Sequence, residues 1–181
     1  MGLLLLMAAC QAPAPEGPDG LWTVPTDADA RLSLPLRELS DPPQRARFVS
    51  ADGRYTEETA QWHGADSDRP SAGLRLSEAT PGPPLTDPTD PESVVADWAF
   101  LRDKRPSAGE RRTGKNAYGP VAYWRVGVGT TVCVIFIQRL PPNDRTEATL
   151  SGYFCNPPGL PMPPQAAATV VESIGLRATA K

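Results

Sequence analysis

The side chains suited to acid–base chemistry are few. His63 is the only histidine in 181 residues. A multi-histidine metal site is therefore excluded, and a histidine-based triad would have to use His63 itself. Glu57, Glu58, Asp66 and Asp68 could supply paired carboxylates, with His63 as a general base beside either aspartate. Adjacent or alternating acids on exposed strands and loops usually serve solvation instead. We therefore expect no catalytic residue, no metal site and no cofactor.

Two cysteines have the spacing of a cross-strand disulfide. Runs with the composition of β-strands flank the turn-forming residues 141–144. An antiparallel hairpin about this turn places Cys133 opposite Cys155. The same register places Phe136 opposite Gly152, and an aromatic ring over a cross-strand glycine supports that pairing. The sequence predicts a bridged hairpin, with two reduced, buried thiols as the alternative.

A cationic segment lies between residues 102 and 115. Six basic residues against Asp103 and Glu110 leave a local net charge of +4 in a chain whose net charge is −3. Such a patch could dock an acidic envelope protein, anionic lipid headgroups or lipopolysaccharide phosphates. The alternative is a solvated loop kept mobile by Gly109 and Gly114. The candidate docking residues are Arg102, Lys104, Arg105, Arg111, Arg112 and Lys115.

Residues 109–116 also match the phosphate-loop pattern at all positions but the last. Asn116 stands where a serine or threonine hydroxyl should hold magnesium. The segment follows a predicted helix and precedes a predicted strand, which reverses the required order of strand, loop and helix. Nucleotide binding is therefore not expected.

The composition is that of a globular acidic protein. Hydrophobic residues make up 40% and charged residues 22%, and the pI is about 5.2. An acidic chain lacks the net basic field that non-specific nucleic-acid binding requires. No nucleic-acid partner is expected.

The positions of turn and helix-start residues predict an α+β fold with the order βββ-α-βββ-α. We expect an antiparallel sheet of about six strands with both helices packed on one face. Asp90 should cap a first helix that runs to about Lys104, and Gly175 should close a second helix opened by Pro163 and Pro164. The expected strands are residues 47–51, 54–63, 73–79, 118–126, 131–139 and 149–155.

The chain begins with a hydrophobic run, 2–9, that is too short to cross a bilayer as a helix. The segment Met7-Ala8-Ala9-Cys10 resembles a bacterial lipobox. This resemblance implies a lipoprotein signal peptide at 1–9, a lipid-modified Cys10, a proline-rich stalk at 10–25 and a single α+β domain at 26–181. A hydrophobic N-terminus that is never processed is the alternative.

The last third of the chain, from Tyr118 to Arg177, resembles small uncharacterised exported proteins of alphaproteobacteria. The resemblance lies in Tyr123-Trp124-Arg125, in the run 133–138 and in the run 152–159. It implies export and a bridged hairpin, and it implies no activity.

Together these features predict a lipid-anchored protein of the cell envelope that faces the periplasm. Gln11 after the lipid-modified cysteine favours the outer membrane, by resemblance to enterobacterial lipoproteins. We expect a non-catalytic binding or structural module. The alternative is a hydrolase or ligand-binding domain that acts on envelope polymers.

Overall fold

Antiparallel strands make up most of the described chain. The computed structural model describes residues 19–62, 68–80, 88–99, 101–143 and 146–177, and within these ranges eight strands form one sheet and two form a second. The helices are α1 Pro91–Ala96 and α2 Pro164–Glu172. The strands are β1 Gly20–Thr23, β2 Leu32–Ser33, β3 Gln44–Ser50, β4 Tyr55–Trp62, β5 Ser71–Ala79, β6 Arg111–Asn116, β7 Gly119–Val128, β8 Thr131–Asn143, β9 Thr146–Cys155 and β10 Gly175–Leu176.

The main sheet has the strand order β1-β3-β4-β5-β9-β8-β7-β6, and every neighbouring pair is antiparallel. Strands that precede α1 form one half, and strands that follow it form the other. The two halves meet where β5 pairs with β9. Strands β1 and β6 are the two edges of the sheet.

The predicted hairpin is confirmed in its register. Cys133 lies opposite Cys155 and forms the disulfide, and Phe136 lies opposite Gly152. A Cβ added at Gly152 would lie 2.8 Å from the Phe136 ring and would also overlap the Gly73 carbonyl oxygen. The glycine therefore makes room both for the ring and for the neighbouring backbone.

The two faces of the main sheet carry separate hydrophobic clusters, because adjacent residues of a strand point to opposite faces. On the first face, Tyr123 and Phe136 pack under α2 and the short β2–β10 sheet. On the second face, Trp124 and Ile135 pack under α1, beside the disulfide. The expectation that both helices lie on one face is wrong.

The α+β class and the two helices are confirmed, but the number and order of the strands differ from the prediction. Strands β1, β2, β6 and β10 were not expected, and β1 lies within the range assigned to the stalk. Helix α1 has the predicted Asp90 cap, with Ser93 N–H donating to its carboxylate at 2.8 Å, yet it ends at Ala96. Beyond it, Asp97 forms an ion pair with Arg75 of β5 at 2.5 Å, while Trp98 remains buried against the sheet.

Gly175 does not close α2 in the way that the sequence suggests. Ser173 is the C-cap, and Gly175 is part of β10, where it pairs with Ser33 of β2. A Cβ at Gly175 would overlap the Ser33 hydroxyl. The glycine is needed for the close approach of two strands and not for a left-handed turn.

Candidate functional site

The last part of the cationic segment is the edge strand β6 of the main sheet, whereas residues 102–110 precede it in turns and loop. The chain joins this edge at Pro106, which forms an isolated bridge with Val128. Ser107 N–H donates to the Gly127 carbonyl at 2.8 Å, and Gly127 N–H donates back to the Ser107 hydroxyl at 2.8 Å. From Arg111 onward the segment pairs with β7 in continuous register. The loop interpretation is therefore wrong for the three cations that lie on this strand, Arg111, Arg112 and Lys115.

Two contacts hold β6 from its first-face side. Asn116 and Gln138 are buried and exchange two amide hydrogen bonds of 2.8 and 3.0 Å. Gly114 lies beneath Tyr123 and Val171, where an added Cβ would be 3.2 and 3.3 Å from those side chains. Asn116 is thus a structural residue, and the strand geometry is incompatible with a phosphate loop.

The cations of β6 are exposed or half-buried along this edge. The Arg111 guanidinium lies over the Trp124 ring, 5.8 Å from its centroid, a cation–π contact. Arg112 forms a 3.0 Å ion pair with Glu110. Lys115 is exposed near the other end of the strand. Both contacts restrain an arginine without burying its charge.

The remaining cations extend the same row past the start of β6. Lys104 packs its aliphatic chain near Gly129 in the β7–β8 turn, 3.4 Å from where a Cβ would be. Arg102 and Arg105 flank it in the chain and are exposed. Because Lys115 lies opposite Pro120 and this turn follows Val128, the row is about 26 Å long at the rise of an extended strand. We call Arg102, Lys104, Arg105, Arg111, Arg112 and Lys115 the basic edge.

The candidate carboxylate pair is not assembled. Glu57 lies on the second face, where it accepts a 2.6 Å hydrogen bond from the Tyr55 hydroxyl and a 2.6 Å bond from Arg75. Glu58 is buried on the first face. It accepts backbone N–H bonds from Arg31 and Leu32 at 2.7 and 3.2 Å, and it pairs with Arg47 at 2.7 Å. Because Glu57 and Glu58 lie on opposite faces of the sheet, they cannot act together on one substrate atom.

Other predicted site residues fall outside the described ranges. Cys10, His63 and Asp66 lie there, while Asp68 is described and exposed. Among the described residues, no group of three or more His, Cys, Asp or Glu side chains is arranged to hold a metal ion.

A polar network on the second face was missed by the sequence analysis. Arg75 lies between Glu57 and Asp97, at 2.6 and 2.5 Å. Burial alone would lower the pKa of Arg75, but these two carboxylates raise it. Burial raises the pKa of Tyr55, and its hydrogen bond to Glu57 raises it further. Charges at alternate positions of neighbouring strands were the available signal. The network ties α1 to the sheet.

The opposite edge of the sheet carries exposed apolar side chains, which the sequence analysis also missed. Leu21 is 66% exposed, Trp22 59% and Val24 79%. Trp22 packs one side against Phe48, with ring centroids 5.2 Å apart. We call Leu21, Trp22 and Val24 the apolar edge.

Comparisons with protein-family models, curated proteins and solved structures give no match to this chain. Neither helix in the part of the chain that the structure describes has the length and apolar character needed to span a membrane.

Proposed function

We propose that the chain is a lipid-anchored protein of the bacterial cell envelope, whose non-catalytic domain binds an acidic partner protein along the basic edge. The lipid would be attached to Cys10, and the domain would face the periplasm. The basic edge is the observation that carries the binding part of this proposal.

The disulfide supports the proposed compartment. Cys133 and Cys155 are buried in the second-face cluster and bridge two neighbouring strands of the sheet. Disulfides persist in the periplasm and on cell surfaces and are rare in reducing compartments. If Cys10 carries lipid, both remaining cysteines are paired, so the chain has no free thiol.

The basic edge supports an extended acidic partner. Three of the six cations lie on the edge strand β6 and three precede it in the chain. Such a strand presents unpaired backbone N–H and C=O groups on its outer side. An acidic segment could add to this edge as a further strand, with charge pairs supplementing the main-chain hydrogen bonds. Charges of this kind contribute more to steering and specificity than to affinity.

A non-catalytic role is supported by the partners of the acids. Glu57 and Glu58 face opposite ways, and arginine or backbone donors already bond to each. A hydrolase would need a carboxylate free to exchange a proton with substrate.

Intact mass tests the anchor. Protein taken from membranes of cells that express the gene with its native upstream sequence should begin at Cys10 and carry acyl chains. Cys133 and Cys155 should become alkylatable only after reduction. A Cys10→Ser variant should lose the acyl mass and keep the disulfide. An unprocessed chain with free thiols would contradict the proposal.

Charge reversal tests the basic edge. A photo-crosslinking residue at the exposed Thr113 should capture a partner protein in cells. The Arg111→Glu/Arg112→Glu variant should reduce capture by at least about thirtyfold, since cations near an anionic surface each contribute about 1 kcal/mol.

Arg54→Glu/Arg69→Glu is the matched control. These two arginines are 66% and 61% exposed and are ion-paired with Asp52 and Asp41, so the same change in net charge is made away from the basic edge. Equal loss of capture in both variants would sink the proposal. Capture of no protein, with binding to phosphatidylglycerol vesicles instead, would assign the edge to lipid headgroups.

A further inference from the structure

The apolar edge lacks the protection that exposed sheet edges normally have. Natural edges are usually guarded by charges, because unpaired strands bind other chains. β6 is guarded in this way by Arg111, Arg112 and Lys115. The four residues of β1 carry no charge, and two of them are large, exposed and apolar. We therefore expect that another molecule or a membrane covers this edge in the cell.

The patch has a fixed orientation because β1 is packed onto the sheet. Gly20 lies directly against the Phe48 ring and the Val49 carbonyl, so that no side chain fits between them. Ala51 N–H donates to the Asp19 carbonyl at 2.8 Å, which extends the pairing beyond the strand. Leu21 and Trp22 therefore project from opposite faces at the rim of the sheet.

This arrangement suits a surface that contacts the sheet along its β1 edge rather than on one of its faces. A partner packed on one face of the sheet would cover Trp22 or Leu21, but not both. A broad apolar boundary in contact with the rim would receive both side chains, together with Val24. Tryptophan is enriched at the headgroup level of bilayers, where its ring is buried and its N–H remains hydrated.

The distance to the proposed anchor selects a lipid surface. Gly20 is ten residues after Cys10, and ten residues span at most about 35 Å when fully extended. The rim is thus confined to the neighbourhood of any membrane that holds an acyl chain on Cys10.

Along the chain, the described charges nearest to the apolar edge are Asp19 and Asp27, which are acidic and exposed. Arg47 lies opposite Thr23, but its guanidinium is ion-paired with Glu58 at 2.7 Å. Apolar contact rather than charge must provide the attraction.

We propose that the apolar edge inserts shallowly into the boundary between headgroups and acyl chains of the membrane that bears the anchor. This inference rests on the proposed lipid modification of Cys10. A zwitterionic bilayer is sufficient, and the contact is insensitive to salt.

Brominated lipids provide the test, because bromine in the acyl chain quenches tryptophan on contact. Trp22 is exposed, whereas Trp62, Trp98 and Trp124 are buried at 4%, 6% and 8% exposure. The acylated chain that begins at Cys10 is placed in phosphatidylcholine vesicles with and without brominated acyl chains. The Trp22→Phe variant gives the emission of the other three tryptophans. The emission of Trp22, obtained by subtracting that of the variant, should be strongly quenched by bromine and shielded from aqueous iodide.

Leu21→Ser/Val24→Ser should reduce the membrane-inserted fraction by about tenfold, the loss expected when two small apolar contacts are removed. Leu160→Ser is the matched control, since Leu160 is 53% exposed but lies after β9, away from β1. A control that loses as much quenching as the double variant would overturn the inference.

The failure of each proposal has its own result. If the chain is acylated and bound to vesicles while Trp22 is quenched by iodide and not by bromine, the edge inference fails and the anchor stands. If mass shows no acyl chain and the unmodified protein shows no bromine quenching, both fail. A dimeric mass in detergent with Trp22 shielded from iodide would instead assign the edge to a second copy and overturn the inference.

Discussion

The two edges of the main sheet differ in the chemistry of their exposed side chains. At β6, arginine and lysine keep the exposed backbone from pairing at random, and the strand is held by a buried amide pair and by α2. At β1, a glycine fits beneath a phenylalanine, and the exposed side chains are apolar. The β6 edge suits contacts that depend on salt, and the β1 edge suits contacts that do not. A single sheet can therefore hold two surfaces of different specificity.

The largest expected difference between the edges is in how much their packing contributes to the free energy of unfolding. Phe48→Ala removes the ring that contacts both Trp22 and Tyr55. Its free energy of unfolding should fall by about 3 kcal/mol, as for other buried phenylalanines. Arg111→Ala at the other edge should cost less than about 1 kcal/mol, since it removes an exposed cation–π contact. Urea unfolding of both variants measures this, and equal losses would erase the distinction.

A smaller difference is expected at the two edge glycines. Gly20→Ala would overlap the Phe48 ring and approach the Val49 carbonyl oxygen to 2.5 Å, so β1 should detach locally. Gly114→Ala would approach Tyr123 and Val171 only to 3.2 and 3.3 Å. We expect a loss of about 2 kcal/mol for the first variant and below about 1 kcal/mol for the second. Amide hydrogen exchange should show faster exchange in β1 alone for Gly20→Ala.

The smallest of these effects is expected at alkaline pH, which should lower the stability of the half that carries the apolar edge. The folded-state pKa of Tyr55 is raised above 10.0 by burial, so its stabilising effect is complete below pH 10 and is lost as pH rises through the folded pKa. Burial likewise raises the pKa of Tyr153, in the other half. Each tyrosine contributes at most about 1.4 kcal/mol per pH unit.

Tyr55→Phe should flatten the alkaline decline in part, and Tyr153→Phe should remove a further part. Unfolding free energies measured between neutral pH and the alkaline limit of the fold would show this. An unchanged slope in both variants would contradict the assignment.

The β8–β9 hairpin was predictable from sequence because local signals agree there. Turn residues, strand composition and the Cys133–Cys155 and Phe136–Gly152 pairings all indicate one register, which the structure confirms. Asp90 as a helix cap is similarly local, and its capping bond is present. Such features depend on residues that are close in sequence or directly paired.

Strand β6 could not be predicted by the same reasoning. Its inward positions are Arg112, Gly114 and Asn116, which lack the alternation of apolar and polar residues that marks a strand. The pairing with β7, the amide bond to Gln138 and the packing of α2 make it a strand. Its basic residues were identified as a candidate site, but their arrangement in a row depends on these tertiary contacts.

The early end of α1 has a related cause. The spacing of Val94, Trp98 and Leu101 predicts a longer helix, and all three are buried in the second-face cluster. After α1 the chain continues in turns, in which Leu101 N–H donates to the Trp98 carbonyl at 2.8 Å. Asp97 forms its ion pair with Arg75 there. Arg75 is distant in sequence, so helical periodicity gives no sign of it.

The seam between β5 and β9 has a mechanical consequence. Nine residue pairs join the strands there, from Ser71–Cys155 to Ala79–Glu147. A membrane holding β1 and a partner pulling on β6 would load the sheet across its strands. Hairpin connections and the disulfide reinforce the β8–β9 junction within the C-terminal half. At the seam, the tension would fall on nine residue pairs, whereas only four pairs hold β1 to β3. A stretched molecule would therefore release β1 before its two halves separate.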